Sequence, residues 1–194
     1  VNIEADNLKI SGAGVWHTQL HFTSDKRYGG GIVFGHNSNG IELSNLYMDS
    51  NLTSRYNEDA QYKAISGTLG KDSKIHDIWV QHFEVGMWIG DYDQTGNMKY
   101  TDGLVVENAR IRNNLADGIN FAQGTKNSTV KNSNIRGNGD DGLAIWSSIS
   151  DGTNAAAEEN NKFLNNTIES GWRAAGIGIF GGKGHEISGN LIKD

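Results

Sequence analysis

The sequence predicts an all-β fold, a right-handed parallel β-helix in which a single chain winds through successive coils of about 23–24 residues. Short apolar runs recur along the chain, each one preceded by a turn-forming residue. Within these runs apolar residues alternate with other residues, which is typical of strands. The chain has 26 glycines and 22 asparagines but no proline, and proline would remove a hydrogen bond from strands that are paired on both sides.

The repeat is measured by the turn-forming residues that open each coil. Successive openings are 38, 32, 31, 24, 33 and 23 residues apart. They are Asn7, Asn45, Asp77, Asn108, Asn132, Asn165 and Ser188. The short steps indicate one bare coil, and the long steps indicate the same coil with an inserted loop. A β-propeller is the alternative, but its blades usually need ~40–50 residues and four strands.

The elements of each coil follow in a fixed order. After the turn-former come three or four residues of strand, then a polar Asn/Gly stretch, then a glycine and a second alternating run. The runs at 118–121, 142–146 and 176–180 are the clearest examples. Asparagine and glycine tolerate the positive φ that tight corners require. We expect the insertions at 50–69, 91–100 and 147–161 to form the walls of a cleft.

The range 1–194 is expected to be part of one β-helix domain that continues at both ends. An open stack of coils needs a polar capping repeat, and neither end of this sequence has one. The chain carries no N-terminal export signal of the usual pattern, so we expect any such signal to lie outside this sequence.

Composition excludes several classes of protein. The chain has no cysteine, which excludes disulfides, thiolate metal sites and a cysteine nucleophile. No run of 18 apolar residues is present, so no membrane span is expected. A net charge of -6 argues against nucleic acid, anionic membranes and polyanionic substrates as partners.

Three aspartates form the candidate catalytic site. Asp117 lies nine residues after Asn108, and Asp141 lies nine residues after Asn132. The two should therefore occupy equivalent positions on neighbouring coils, with backbones about 4.8 Å apart. Asp140 directly precedes Asp141 and brings a third carboxylate to the same patch.

This cluster suits glycosidic bond hydrolysis, in which one carboxylic acid protonates the leaving oxygen and a carboxylate activates water. Asp140 is the expected general acid, and Asp117 and Asp141 are the expected paired base. Two other interpretations stay open. The cluster could bind calcium, or each Asp-Gly pair could serve only as a turn.

The residues around the cluster carry a family resemblance. The segments 113–120, Asn-Asn-Leu-Ala-Asp-Gly-Ile-Asn, and 138–147, Asn-Gly-Asp-Asp-Gly-Leu-Ala-Ile-Trp-Ser, resemble glycoside hydrolase family 87. That family contains α-1,3-glucanases (mutanases) and mycodextranases. The resemblance implies an extracellular β-helix enzyme that hydrolyses α-1,3-glucan with inversion and endo action, with Asp117, Asp140 and Asp141 as its catalytic aspartates.

Two alternatives to α-1,3-glucan hydrolysis stay open at this stage. Dextranases and polygalacturonases share a related arrangement of three aspartates. The Arg-x-Lys signature of polygalacturonases is missing after Gly184-His185, which disfavours a uronate substrate. A non-catalytic carbohydrate-binding β-helix or adhesin is the alternative of another class.

Substrate contacts are expected from residues close to the three aspartates in the coil register. Trp146 should point outward if Leu143 and Ile145 point inward, and aromatic faces pack well on sugar rings. The candidate substrate-binding residues are Trp146, Trp172, Asn120, Arg173 and His82. The other tryptophans, Trp16, Trp79 and Trp88, are expected to be structural.

No cofactor is expected to take part in the chemistry, and a structural calcium ion is the one candidate metal. The segment 91–96 alternates oxygen-bearing side chains, with Asp91 and Asp93 as candidate ligands, but it lacks the full EF-hand pattern. The expected partner is a polysaccharide, with no nucleic acid and no membrane. We expect a monomeric, secreted protein from a bacterium.

Overall fold

The protein is a right-handed parallel β-helix, as the sequence predicts. The structure is a computed structural model that describes residues 1–24, 26, 30–54, 62–90, 99–147 and 156–194. These residues form 21 strands, numbered β1–β21 along the chain, in three parallel sheets of seven strands each. In this described part no helix is long and apolar enough to cross a membrane.

Each coil contributes one strand to each sheet, in the chain order sheet 1, sheet 2, sheet 3. Sheet 1 contains β1 (Asn2–Ile3), β4 (Ile32–Ser38), β7 (Ile65–Leu69), β10 (Met87–Ile89), β13 (Ile119–Ala122), β16 (Leu143–Trp146) and β19 (Ile177–Phe180). Sheet 2 contains β2 (Lys9–Ser11), β5 (Glu42–Ser44), β8 (Lys74–His76), β11 (Val105–Glu107), β14 (Thr129–Lys131), β17 (Lys162–Leu164) and β20 (Glu186–Ser188). Sheet 3 contains β3 (Gln19–Phe22), β6 (Tyr47–Ser50), β9 (Trp79–Gln81), β12 (Arg110–Arg112), β15 (Asn134–Arg136), β18 (Thr167–Glu169) and β21 (Leu191–Lys193).

Five of the seven predicted turn-formers lie at the corner between sheets 2 and 3, with φ between 50° and 57°. They are Asn45, Asp77, Asn108, Asn132 and Asn165. Asn7 also has a positive φ of 55°, but its predicted place in the coil was wrong, because it lies between β1 of sheet 1 and β2 of sheet 2. The seventh prediction was wrong by one residue, because Gly189 and not Ser188 has positive φ. Glycine adopts this conformation without the steric cost that a Cβ brings, which explains why the corner falls there.

The bare coil is 24 residues long. Val105 pairs with Thr129 across β11 and β14, and Lys162 pairs with Glu186 across β17 and β20. Longer coils carry their extra residues on one side or the other of sheet 1. The first insertion is shorter than predicted, because Ile65–Leu69 forms strand β7 rather than loop. The cleft walls stay a prediction, because part of each insertion, residues 55–61, 91–98 and 148–155, lies outside the described residues.

The core lies inside the coil, where inward-facing side chains of successive strands stack in rows. Rows from sheet 1 include Met87, Ile119 and Leu143, and all three are fully buried. Sheets 2 and 3 add further rows of valine, isoleucine and phenylalanine. Burying such side chains stabilises the coil by about 1.5–3 kcal/mol each, and no single coil could bury them alone.

Buried asparagines join neighbouring coils at the corner between sheets 3 and 1. Asn138 Oδ1 accepts hydrogen bonds from the backbone N–H of Asn114 at 3.1 Å and from Asn114 Nδ2 at 2.9 Å. Asn138 Nδ2 in turn donates to the carbonyl of Ile111 at 3.2 Å. This ladder satisfies buried backbone groups directly below the three aspartates, and it explains part of the asparagine richness of the sequence.

Candidate active site

The three aspartates lie at the start of two neighbouring strands of sheet 1. Asp117 precedes β13 and Asp141 precedes β16, and both occupy the same position in their coils. The backbone N–H of Gly118 donates to the carbonyl of Asp141 at 2.9 Å. This bond confirms the predicted register, so the two residues are stacked one strand spacing apart.

The three carboxylates converge on one point. One oxygen from each of Asp117, Asp140 and Asp141 lies within 4.8 Å of the others. A single water could donate a hydrogen bond to each of two carboxylates at this spacing. Acid and base carboxyls in inverting glycosidases are typically ~6.5–9.5 Å apart, so these closest oxygens are nearer together than that range.

The burial of the three carboxylates differs. Asp117 is 8% exposed and Asp141 is 7% exposed, whereas Asp140 is half-buried. Asp140 is therefore the most accessible of the three to solvent. Like charges this close together disfavour ionisation, and the charge of Asp140 contributes to the raised pKa of Asp117 and of Asp141.

Asp117 is held on both of its oxygens. Asn120 Nδ2 donates to Oδ2 at 2.8 Å, and the backbone N–H of Asp141 donates to Oδ1 at 3.2 Å. Burial raises the pKa of Asp117 to about 6, and the charges of Asp140 and Asp141 add to the rise, while the two donated hydrogen bonds oppose it. A base with a pKa near the working pH accepts a proton more effectively than an ordinary aspartate.

Asp141 has a similar but separate set of partners. Its Oδ1 accepts a hydrogen bond from the backbone N–H of Ala175, on the next coil, at 2.9 Å. Burial raises the pKa of Asp141, and the charge of Asp140 raises it further, while the Ala175 hydrogen bond lowers it. Both members of the predicted base pair are thus buried carboxylates with fixed orientations.

Asn120 lies beside the aspartates, but its amide is used within the protein. It is 5% exposed, and Nδ2 bonds to Asp117. Its Oδ1 is buried and makes no hydrogen bond among the described residues. The structure therefore places Asn120 next to a catalytic candidate rather than in the open cleft where the sequence analysis expected it to bind substrate.

Aromatic side chains cover the outer face of sheet 1 beside the aspartates. Leu143 and Ile145 point into the core, and Trp146 points outward, as predicted. Trp146 is half-buried and packs edge-on against Trp88, with ring centroids 5.5 Å apart. Trp88 thus belongs to the outer face of this sheet, although the sequence analysis assigned it only a structural role.

Phe180 is a residue that the sequence analysis missed. It pairs in register with Trp146 and is 53% exposed on the same face. The alternation in the run 176–180 already places residue 180 on the same face as 178, so the pattern contained this signal.

Trp172 lies against the backbone that carries Asp140. A Cβ on Gly139 would come within 2.3 Å of Trp172 Cζ2, so only glycine allows this close approach. Trp172 is 61% exposed and Arg173 is also exposed. Both predicted substrate-binding residues are thus available at the surface on the coil after Asp140.

His82 is at the corner before sheet 1, with a φ of 61°. Its Nδ1 lies 2.8 Å from Asp49 Oδ1, on the sheet 3 side of that corner. The coil position equivalent to Asp117 is instead filled by Val85, since the N–H of Gly86 donates to the carbonyl of Asp117. The structure thus brings His82 to Asp49 and not to the carboxylates. The calcium candidates Asp91 and Asp93 lie outside the described residues.

Glu158 is a buried acid that the sequence analysis did not single out. The Ser147 hydroxyl donates to Glu158 Oε2, and the backbone N–H of Gly124 donates to Oε1 at 3.1 Å. Burial raises the pKa of Glu158, and these donors oppose the rise. It lies where the third insertion returns to the body of the β-helix, and no repeat or motif in the sequence marks it.

The chain is similar to known proteins in both sequence and fold. A family model described as alpha-1,3-glucanase catalytic domain D2 matches residues 1–193. The crystal structure of the Agl-KA catalytic domain is 54% identical, with a TM-score of 0.90, and the match covers 97% of this chain and 32% of that one. No curated protein sequence matches the chain.

Two further solved structures are similar. The catalytic unit of a thermostable family 87 α-1,3-glucanase from Streptomyces thermodiastaticus strain HF3-3 has a TM-score of 0.77 and 31% identity, over 98% of this chain and 32% of that one. A family 87 α-1,3-glucanase catalytic domain with one aspartate replaced by alanine, in complex with tetrasaccharides, has a TM-score of 0.74 and 25% identity, over 100% of this chain and 31% of that one. The chain thus spans about a third of the length of these relatives.

Proposed function

This chain belongs to glycoside hydrolase family 87, as a member of the α-1,3-glucanase catalytic domain D2 family, and from that premise we propose that it carries the active site of an endo-acting, inverting α-1,3-glucanase. The observation that carries hydrolysis is the convergence of three aspartate oxygens within 4.8 Å at the start of β13 and β16. Inversion is proposed from the family resemblance, since these closest oxygens are nearer together than the ~6.5–9.5 Å typical of an inverting pair. Relatives described as α-1,3-glucanases support the substrate.

The proposed mechanism is a single displacement at the anomeric carbon. Asp117 and Asp141 together hold one water and remove its proton as the water attacks. Asp140, the most exposed of the three, donates its proton to the leaving glycosidic oxygen. The C–O bond breaks as the new bond to water forms, and the configuration at that carbon is inverted.

The positions of the three side chains support these roles. Asp117 and Asp141 each accept backbone or amide hydrogen bonds, which favour the ionised state that a base requires. Trp172 lies against Gly139, the residue next to Asp140 in the chain, and its exposed ring can pack on a glucose unit and position the leaving oxygen. We propose Trp146, Trp172 and Arg173 as the residues that contact the polymer.

We propose that the protein acts outside the cell as a monomer and needs no cofactor for its chemistry. An insoluble polymer cannot enter a cell, so an enzyme that degrades it must be secreted. A bacterial source is proposed with this, and a calcium ion, if bound at Asp91 and Asp93, would be structural. Proton transfer between carboxylates and water needs no metal.

The test is reducing-end release from insoluble α-1,3-glucan, dextran and polygalacturonate, by the parent protein and its Asp117→Asn variant. Release from α-1,3-glucan alone, lost in the variant, is the expected result. Release from dextran or polygalacturonate instead would contradict α-1,3-glucan as the substrate and would leave the proposed catalytic site unchanged. No release from any polymer would contradict hydrolysis and favour a binding protein. The anomeric configuration of the first product, followed by NMR, tests inversion.

A further inference from the structure

A second groove lies on the other side of the β-helix, along sheet 3 and its corner with sheet 2. It consists of two adjoining cavities of about 480 and 420 Å³ that share Val15 and Trp16. We call it the aromatic groove and define it by Trp16, Tyr47, Trp79, Arg110, Asn108 and Asn132. The three aspartates are at the start of sheet 1 and do not line it.

The aromatic part of the groove is built from three rings. Trp16 is 74% exposed and meets Trp79 edge-on, with centroids 5.3 Å apart and planes at 89°. Tyr47 also packs against Trp79, with ring centroids 5.3 Å apart. The guanidinium groups of Arg110 and Arg112 lie 5.9 and 5.4 Å from the Trp79 ring, which holds that ring in place.

Side-chain hydrogen bonds hold the Trp79 and Tyr47 rings in place. Trp79 Nε1 donates to Gln81 Oε1 at 3.1 Å, and Gln81 Nε2 donates to the Tyr47 hydroxyl at 2.6 Å. Trp16 is the one ring of the three that stays largely open to solvent. Its exposure is unusual for a tryptophan that only stabilises the fold, and a ring held on a rigid support loses little entropy when it binds a ligand.

Polar groups line the groove next to the rings. The corner residues Asn108 and Asn132 are exposed, and their side-chain amides make no hydrogen bond among the described residues. Each amide offers both a donor and an acceptor. A ligand with apolar faces and many hydroxyl groups, such as a sugar chain, matches this combination of an open ring and free amides.

The groove is long enough for an extended ligand. Tyr47, Trp79, Arg110 and Asn134 are direct neighbours across β6, β9, β12 and β15. Four strands at the usual spacing extend over about 14 Å. Trp16 is the one exposed large apolar side chain among the groove-lining residues. A stable protein interface buries about 800 Å² per partner, and one exposed side chain supplies too little apolar surface for that.

We propose that the aromatic groove binds a segment of the α-glucan polymer, away from the active site. This inference rests on the proposed function, because that function supplies the polymer. When one site of the protein holds the insoluble polymer, the second site meets the same polymer at a high effective concentration. The protein then binds the polymer more tightly overall, although neither site makes a new contact. The groove should therefore matter for long or insoluble glucan and not for short soluble oligosaccharides.

The test compares Trp16→Ala with the parent in the full chain, each carrying Asp117→Asn so that the polymer is not degraded. Depletion from solution by insoluble α-1,3-glucan is measured over a range of polymer concentrations. Loss of one stacked ring should weaken binding by about three- to tenfold. Trp16→Phe should retain most of the binding, and Leu191→Ala, an exposed apolar residue at the far end of sheet 3, should match the parent.

Kinetics on a soluble α-1,3-linked oligosaccharide, with Asp117 intact, separate this inference from the proposed function. Trp16→Ala should leave kcat and KM unchanged there. Equal polymer binding by Trp16→Ala and the parent would contradict glucan binding in the groove. Self-association of the parent in sedimentation that is lost in Trp16→Ala would also contradict it, since the groove would then be a contact between copies of the chain. If the parent hydrolyses nothing but binds the polymer through Trp16, the groove stands and the proposed hydrolysis fails.

Discussion

Asn120 donates a hydrogen bond from Nδ2 to Oδ2 of Asp117 over 2.8 Å, and both side chains are almost completely buried. The opposite end of the same amide, Oδ1, makes no hydrogen bond among the described residues. The donor end stabilises the ionised carboxylate, and rotation of the amide would present the acceptor end to a protonated one. Asn120 is therefore placed to position Asp117 in either protonation state.

Replacing Asn120 by alanine should change the pH profile more than the maximal rate. The hydrogen bond from Asn120 lowers the pKa of Asp117, so its loss raises that pKa further. A base works only when ionised, and the acidic limb of kcat/KM should therefore move to higher pH. Oligosaccharide KM should change little. An acidic limb that stays in place would contradict the positioning role of Asn120.

Asp117→Asn should abolish activity while it stabilises the fold at neutral pH. Loss of a general base typically lowers the rate by about 10²–10⁴-fold. The folded pKa is about 6 against the ordinary value of 3.8, so the ionised form destabilises the folded state, and stability rises as the pH falls through 6. The neutral amide of the variant avoids this destabilisation, so its free energy of unfolding should be higher than the parent's by about 1–3 kcal/mol at pH 8.

Urea unfolding of the parent and Asp117→Asn at pH 8 and at pH 4 measures this effect. The difference in the free energy of unfolding between the two proteins should be large at pH 8. It should shrink as the pH falls toward 3.8, the ordinary pKa of the carboxyl in the unfolded chain. The Asn120 amide can rotate to accept a hydrogen bond from the new side chain. Its Nδ2 then faces the buried position in which Oδ1 now has no partner, and this unpaired donor offsets part of the gain in stability. A variant less stable than the parent at pH 8 would contradict the raised pKa.

Trp172→Ala should weaken the binding of soluble oligosaccharide and leave kcat nearly unchanged. The ring is 61% exposed, so its removal should not affect folding. Loss of one stacking contact corresponds to a KM about three- to tenfold higher. Trp16→Ala is the matched control, since that ring is also largely exposed but lies on the aromatic groove. Equal KM values for the parent and Trp172→Ala would exclude a substrate contact there.

The corner between sheets 2 and 3 should tolerate glycine and reject a β-branched residue. Asn165 has a φ of 55°. Asn165→Val should destabilise the fold by roughly 1–2 kcal/mol, because a branched side chain clashes with the backbone in this conformation, whereas Asn165→Gly should be close to neutral. Thr167→Val, two residues later on β18, is the control for the change of side chain alone.

Removal of divalent metals should leave kcat unchanged. The proposed chemistry consists of proton transfers among three carboxylates, water and the glycosidic oxygen, and none of these steps requires a cation. The measurement is the oligosaccharide rate before and after dialysis against a chelator. A fall in kcat that calcium restores would contradict this metal-free mechanism, and the three aspartate oxygens are close enough together to hold such an ion.

Much of the fold and the location of the site could be predicted from the sequence because both depend on spacing. A fixed repeat places equivalent residues on neighbouring coils, so the 24 residues between Asp117 and Asp141 predict their stacking. The corner at Gly189 and the shorter first insertion were less predictable, since a shift of one residue or an extra strand leaves the repeat pattern almost unchanged.

By itself the sequence determined the coil, the inward rows, most corner residues, and the shared register of Asp117 and Asp141 with Asp140 beside them. Only the tertiary structure decided which partner each polar side chain bonds to. It turned Asn120 toward Asp117, His82 toward Asp49, and Trp16 outward over Trp79. The physical reason is that periodicity fixes which face a residue occupies, whereas hydrogen bonds and ring contacts depend on distances of a few ångströms between coils.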